Sequence, residues 1–319
     1  MKSNSKKIRI AILGIGGIGG YLGGKLAHHY AEHDQIEIIF ITRGAQLQTI
    51  SEKGLEWHSN EITYRSKPHV VASNPREIGL IDILILTTKS FAAAEAIREY
   101  AHCISGDTTV LTTQNTITGR TDILPFLPEG ALLMEGAIYI SSSVQKPGKV
   151  VHLSGPGIWY FGTNNTFTPK GEQIAKILNY ANINAQYTTN TEAVLWKKFL
   201  FASPAAVVTA LFDITFAEIT ESQESEYLYL NLTDELMQLA RGKNIPVDDQ
   251  TILHNITLLT RFKGEAKSSF LLDLKRGKPT EIKALVLDVI AEAQKHQISI
   301  PYYQSAYAQL QLKYPSLTC

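Results

Sequence analysis

Residues 14–19, Gly-Ile-Gly-Gly-Ile-Gly, have the composition and spacing of a loop that cradles phosphate. An apolar, β-branched run at residues 8–13 (IRIAIL) precedes them and suits a buried strand. A helical pattern follows at once, with Ile18, Leu22 and Leu26 at i, i+4 and i+8. In a G-x-G-x-x-G placed between strand and helix, each glycine has a separate task. Gly14 permits the tight turn, Gly16 lets a pyrophosphate reach the backbone without meeting a Cβ, and Gly19 lets the helix pack close to the strand. The helix start, from Gly17 and Ile18 onward, then offers free N–H groups and the positive end of its dipole to the phosphates. The plain alternative is a glycine-rich turn in some other α/β protein.

Three more polar positions lie where strands end, and ligands of open α/β sheets gather beyond carboxyl ends of strands. Residues 36–41 (IEIIFI) read as a second parallel strand and lead into Thr42-Arg43-Gly44. An acid at this place would hold a ribose 2′-hydroxyl. An arginine instead pairs bidentately with a 2′-phosphate, so Arg43 predicts NADPH over NADH. Its alternative is a solvated loop arginine. Lys89 follows the apolar run 81–86 and is placed for a phosphate or an anionic substrate, or else is a solvated lysine at a helix start. Asn115, after Gln114 and the run 108–112, can hydrogen-bond both cofactor and substrate, or merely cap the next turn.

The elements that must position these residues alternate. Helices are expected over 46–53, 92–101 and 169–181, a hairpin over 55–66 around Ser59-Asn60, and further strands over 130–140, 149–153, 158–162 and 185–188. That alternation predicts a doubly wound sheet with right-handed crossovers. From about residue 189 the texture becomes helical: 191–208, which Pro204 should kink or break, then 222–243, 248–263, 280–296 and 301–313. Two domains are therefore expected, residues 1–188 binding the dinucleotide and residues 189–319 all-helical.

A chain of 319 residues, 44% apolar and 19% charged, has the composition of a globular protein with sizeable cores. Thirty basic and thirty acidic side chains balance, which gives no support for a general nucleic-acid or membrane-surface role. The two cysteines, Cys103 and Cys319, suggest neither a metal site nor a disulfide framework, so a reducing cytoplasm is the simplest compartment. No signal-peptide pattern is visible, and no uninterrupted apolar segment has the length of a membrane span.

With these residues in view, the chain resembles the ketopantoate reductase (2-dehydropantoate 2-reductase) family over nearly its whole length. The resemblance rests on the glycine loop with Gly20, on Thr42-Arg43-Gly44, on Lys89 and Gln114-Asn115, and on two C-terminal motifs. These are Trp196-Lys197-Lys198, and Ser268-Ser269 with Asp273 and Thr280-Glu281-Ile282. It implies a Rossmann-type doubly wound α/β domain followed by an all-α C-terminal domain. It also implies Lys198 as general acid, Glu281 as the residue that helps bind the substrate hydroxyl, and Ser269 as a substrate contact. The expected cofactor contacts are then Gly14, Gly16, Gly17, Ile18, Gly19, Arg43, Lys89, Asn115 and Glu281. The expected substrate contacts are Lys89, Asn115, Lys198 and Ser269, with Lys198 and Glu281 catalytic and no metal. The chemistry is coherent: hydride addition to a ketone leaves an alkoxide that needs a proton and a nearby positive charge, and a lysine whose pKa burial has lowered supplies both. Without the resemblance, Lys198 reads as a surface helix lysine, Glu281 as a first-turn carboxylate and Ser269 as a capping hydroxyl.

Some positions depart from the family pattern. Asparagines expected four and eight residues after Lys198 are Ala202 and Ala206, one expected before the serine pair is Ala266, and a glycine expected after Asn115 is Thr116. Lost amides weaken recognition of a small hydroxylated keto acid. The leading expectation is NADPH-dependent reduction of 2-dehydropantoate to pantoate in pantothenate biosynthesis. The alternatives are a paralogue reducing a different 2-keto acid, or an NADPH-binding regulatory protein without turnover. The expected partner is a small-molecule 2-keto acid in the cytoplasm, with a homodimer allowed and neither nucleic acid nor membrane involved.

Overall fold

The computed structural model describes residues 7–59, 62–262, 266–315 and 317. The chain forms two compact units, residues 1–114 with 119–191, and residues 115–118 with 192–319.

The first unit runs β1 (Ile8–Leu13), α1 (Gly17–His29), β2 (Ile36–Ile41), α2 (Gly44–Lys53), β3 (Leu55–Ser59), β4 (Ile62–Ser66), β5 (Val70–Ala72), β6 (Ile81–Leu86), α3 (Ser90–Glu99), β7 (Ile104–Thr112), α4 (Gly119–Ile123), β8 (Leu132–Lys146), β9 (Lys149–Gly162), α5 (Pro169–Tyr180) and β10 (Ala185–Thr188). Alternation along the strands splits the core in two. Ile10 and Ile12 of β1, with Ile38 and Phe40 of β2, pack with Leu22 and Leu26 of α1 and Leu178 of α5. Ala11, Leu13, Ile39 and Ile41 face the other way, toward Ile97 of α3 and Ile123 of α4. Both faces of the sheet are thus covered, which is why these strands read as continuous apolar runs.

The sheet has ten strands in the order β4-β3-β9-β8-β7-β6-β1-β2-β5, with β10 beside β9. Six of them, β5-β2-β1-β6-β7-β8, run parallel to one another. In order of appearance these stand third, second, first, fourth, fifth and sixth, the Rossmann arrangement. Its order reverses between β1 and β6, so the loops after those two strands lie side by side.

Several expectations change. The short strand β5 was not anticipated. The β3–β4 hairpin forms, though the centre of its turn, residues 60–61, lies outside the described residues. Strands expected at 149–153 and 158–162 are one strand, β9, antiparallel to β8. Gly155 and Gly157, at φ +92° and +66°, carry the chain through Ser154-Gly-Pro-Gly, which reads locally as a break.

The second unit contains α6 (Thr191–Phe212), α7 (Gln223–Gly242), α8 (Thr251–Arg261), α9 (Ser269–Lys275), α10 (Asp288–Lys295) and α11 (Pro301–Lys313) around one core. The helix expected to reach residue 263 is described only to Arg261. Pro204 does not break α6, which continues eight residues beyond it. A proline cannot donate to the carbonyl four residues back. That carbonyl, Leu200 O, instead accepts from Nδ2 of buried Asn255 at 3.2 Å.

Among the described residues α6 is also the one helix long and apolar enough to cross a membrane, with a mean hydropathy of 1.4 over that stretch. This amends the reading of no span-length segment. Phe199, Leu200 and residues 205–208 of α6 are buried in the second core, as for a core helix.

Asn255→Ala should orphan the Leu200 carbonyl and lower unfolding free energy by about 1–3 kcal/mol. Denaturant titration checks this, and an unchanged midpoint would show that the carbonyl has another partner.

Candidate active site

In the first unit, the loop after β1 has the geometry that its glycines require. Gly14 sits at φ +102°, a conformation open to glycine. A Cβ on Gly19 would overlap the Gly14 carbonyl and Thr87 Oγ1, so strand and helix approach as closely as glycine allows. A Cβ on Gly16 would meet nothing within 4 Å, which leaves the backbone there open to a ligand. Gly17 differs: a Cβ there would strike the Ser142 carbonyl of β8, so this glycine also serves packing. Ile18 is half-buried against the core, in the first turn of α1. No acidic residue occupies that turn, so nothing anionic competes at its positive end.

Two supports of this loop were not legible beforehand. Thr87, at the end of β6, donates to the Gly14 carbonyl at 2.6 Å. Gln46 of α2 donates to the Ile15 carbonyl at 2.8 Å and accepts from the Gly148 N–H at 2.8 Å. Beside them Thr88 Oγ1 is buried without a hydrogen-bond partner, an orphaned hydroxyl next to Gly14. A polar ligand at the loop would satisfy it. Lys89, half-buried, is the N-cap residue of α3, in extended backbone. Arg43 is the N-cap residue of α2 and donates to Glu99 at the end of α3. The open backbone at Gly16, the bare helix start and the orphaned hydroxyl fit a dinucleotide phosphate.

In the second unit, the expected Lys198, Asn115 and Glu281 come together. Lys198 Nζ donates to Asn115 Oδ1. Asn115 therefore does not merely cap a turn. Burial pushes Lys198 down to about 8, while the charge of Glu281 opposes the shift. Lys197, next along α6, is exposed, as about 100° of helix rotation requires. Trp196 and Phe199 are buried on either side of this pair and fix the rotation of α6.

Residues 115–118 belong to this unit although they interrupt the first in sequence. Thr118 Oγ1 donates to Asp288 Oδ2 of α10 at 2.9 Å, and its N–H bonds to Thr116 Oγ1 at 3.1 Å. Thr116, where a glycine was expected, thus stiffens the segment that carries Asn115.

Glu281 is 6% exposed and stands two residues before a π-helical segment, Lys283–Leu287. There the Asp288 N–H bonds five residues back, to the Lys283 carbonyl. Ser203 of α6 donates to the Leu285 carbonyl at 2.7 Å. Its single proton being spent, it accepts from Tyr303 OH at 2.7 Å. This buried chain ties the helix of Lys198 to the segment of Glu281. Beside Glu281, Thr280 Oγ1 is buried and unpartnered.

Ser269 is exposed at the first residue of α9, and no hydrogen bond joins it to the other three. Its neighbour Ser268 is structural: it caps α9 through the Leu271 N–H at 3.1 Å and pairs with Thr209 Oγ1 at 2.7 Å. Because α6 is continuous, Ala202 and Ala206 share the Lys198 face at i+4 and i+8. Ala266 offers its carbonyl to the Phe216 N–H at 2.9 Å. Among the described residues no cluster of histidine, cysteine and acidic side chains could hold a metal.

Comparison with known proteins identifies the family. The family model described as "Ketopantoate reductase PanE/ApbA" matches residues 10–166, and its C-terminal counterpart matches residues 190–314. A 2-dehydropantoate 2-reductase of Pyrococcus horikoshii is 27% identical over 304 residues, covering 92% of this chain and 93% of that protein. The crystal structure of a PanE/ApbA family ketopantoate reductase from Ralstonia eutropha superimposes with a TM-score of 0.87 at 22% identity, covering 97% and 99% of the two chains. A D-mandelate dehydrogenase bound to NADH and anilino(oxo)acetate superimposes with a TM-score of 0.84 at 21% identity, covering 97% and 99%. With its two family models spanning both units, the chain belongs to the ketopantoate reductase family of oxidoreductases acting on CH–OH groups.

Proposed function

We propose that this protein is a cytoplasmic, NADPH-dependent reductase of 2-keto acids, with 2-dehydropantoate as its first substrate. The observation that carries the reading is Lys198: a lysine held by Asn115, offset by Glu281 and brought by burial to about 8 is suited to give up a proton near neutral pH. Reduced nicotinamide, when bound, supplies the hydride. Lys198 delivers its Nζ proton to the carbonyl oxygen, and its charge stabilises the oxyanion as it forms. Asn115 Oδ1 fixes the direction of the ammonium. Glu281 keeps that ammonium charged and accepts from a substrate hydroxyl, while Ser269 hydrogen-bonds the substrate. In the first unit, the amides at the start of α1 take the pyrophosphate, and Arg43 and Lys89 take the remaining anionic groups.

A second reading, reduction of a 2-keto acid with an apolar side chain, is favoured by Ala202 and Ala206. Both stand on the Lys198 face of an unbroken helix, where amides would grip a hydroxylated substrate. The NADH-bound D-mandelate dehydrogenase supports the same alternative. Following the loss of reduced-nicotinamide absorbance against a panel of 2-keto acids ranks the two. Turnover of none of them would favour a binding protein.

Lys198→Ala should lower kcat by a factor on the order of 10² to 10⁴ while cofactor affinity survives. Lys197→Ala, on the exposed face, should change little. Steady-state kinetics that reverse this order would reject Lys198 as the acid. Gly16→Val should abolish NADPH binding without altering thermal stability, because the new side chain enters open space. Calorimetry that returns wild-type affinity would contradict the loop assignment.

A further inference from the structure

Arg43 does not stand alone at the end of β2. Its Nη2 donates to Glu99 Oε2, and Tyr100 flanks the pair. Glu99 is the last residue of α3, and its place is fixed. The Tyr100 N–H closes the helix on the Ala96 carbonyl, and Tyr100 OH donates to the Ser73 carbonyl at 2.6 Å, just after β5. Strand β5 in turn lies against β2, which delivers Arg43.

A carboxylate at this end of a helix faces the negative end of the dipole. Glu99 therefore depends on Arg43 for compensation. The pair is exposed, 65% on the arginine side and 37% on the glutamate side, and such pairs are weakly held. The guanidinium can accordingly leave Glu99 for a phosphate. The carboxylate stays where α3 holds it, and its charge opposes a dianionic 2′-phosphate that seeks the same guanidinium. A 2′-hydroxyl carries no charge and meets no such opposition.

We propose that Glu99 is a cofactor-specificity residue: by competing for Arg43 and repelling a 2′-phosphate, it narrows the preference for NADPH over NADH. The proposal rests on the assignment of Arg43 to the 2′-phosphate made above. It explains how one site can carry an arginine that favours NADPH and a carboxylate that favours NADH.

The test is calorimetric Kd for NADPH and for NADH with the full chain, as wild type, Glu99→Gln and Arg43→Ala. Removing one charge near a dianion at a half-exposed site is worth about tenfold in affinity. Glu99→Gln should therefore tighten NADPH about tenfold and leave NADH within about twofold. Arg43→Ala should weaken NADPH selectively. If Glu99→Gln leaves the NADPH-to-NADH ratio unchanged while Arg43→Ala lowers it, the role of Glu99 is refuted and that of Arg43 stands. If Arg43→Ala affects both cofactors equally, the 2′-phosphate assignment itself fails, and the role of Glu99 with it.

Discussion

A buried ammonium is expensive, and the second unit is arranged around the one on Lys198. Desolvation favours its neutral form, the carboxylate of Glu281 favours its charged form, and the balance falls at about 8. At that value both forms are within reach at physiological pH, as proton transfer requires. Each partner of the ammonium is itself tethered. Asn115 rides on a segment tied to α10 through Thr118 and Asp288. Glu281 leads into a π-helical turn gripped by Ser203, which Tyr303 holds in turn. The lysine's own helix crosses Pro204 unbroken because Asn255 takes the freed carbonyl. Loosening a tether would shift the ammonium relative to Asn115 or Glu281 and so shift the balance.

The first unit solves a different problem, leaving backbone bare at Gly16, where the proposed reading places a phosphate. Gly14 supplies the turn, Gly19 the close packing and Gly16 the open space. Thr87 and Gln46 hold the loop's Gly14 and Ile15 carbonyls and so fix its shape. The chain's two halves thus divide the chemistry. In the proposed reading, one meets the anionic cofactor with backbone dipoles and one arginine, and the other meets the reacting carbonyl with a tuned lysine.

Much of this was legible in the sequence wherever local chemistry dictates structure. The strand, glycine loop and helix of residues 8–29 follow from adjacent residues alone. So does the contrast between Lys197 and Lys198, because helical rotation separates neighbours. What escaped depends on distant partners. Pro204 reads as a break until Asn255, fifty-one residues on, is seen to satisfy Leu200. The segment Ser154–Gly157 reads as a break between two strands until β8 is seen to pair with the chain on both sides of it. Asn115 and Glu281 carry no sequence sign that they share a lysine, and Thr116 looks like a loss until its hydroxyl is found stiffening the segment. The partner of Arg43 escapes the sequence because nothing links residue 43 to residue 99 except the fold.

The most direct test of the central claim is the pH dependence of kcat/KM for the wild type and for Glu281→Gln. If Lys198 is the proton donor, activity falls on the alkaline side as the ammonium deprotonates, with an apparent pKa near 8. Removing the Glu281 charge withdraws the influence that favours the charged lysine, so that limb should move to lower pH whatever happens to the maximal rate. A limb that stays in place in the variant, or a wild-type profile flat through the alkaline range, would contradict the account.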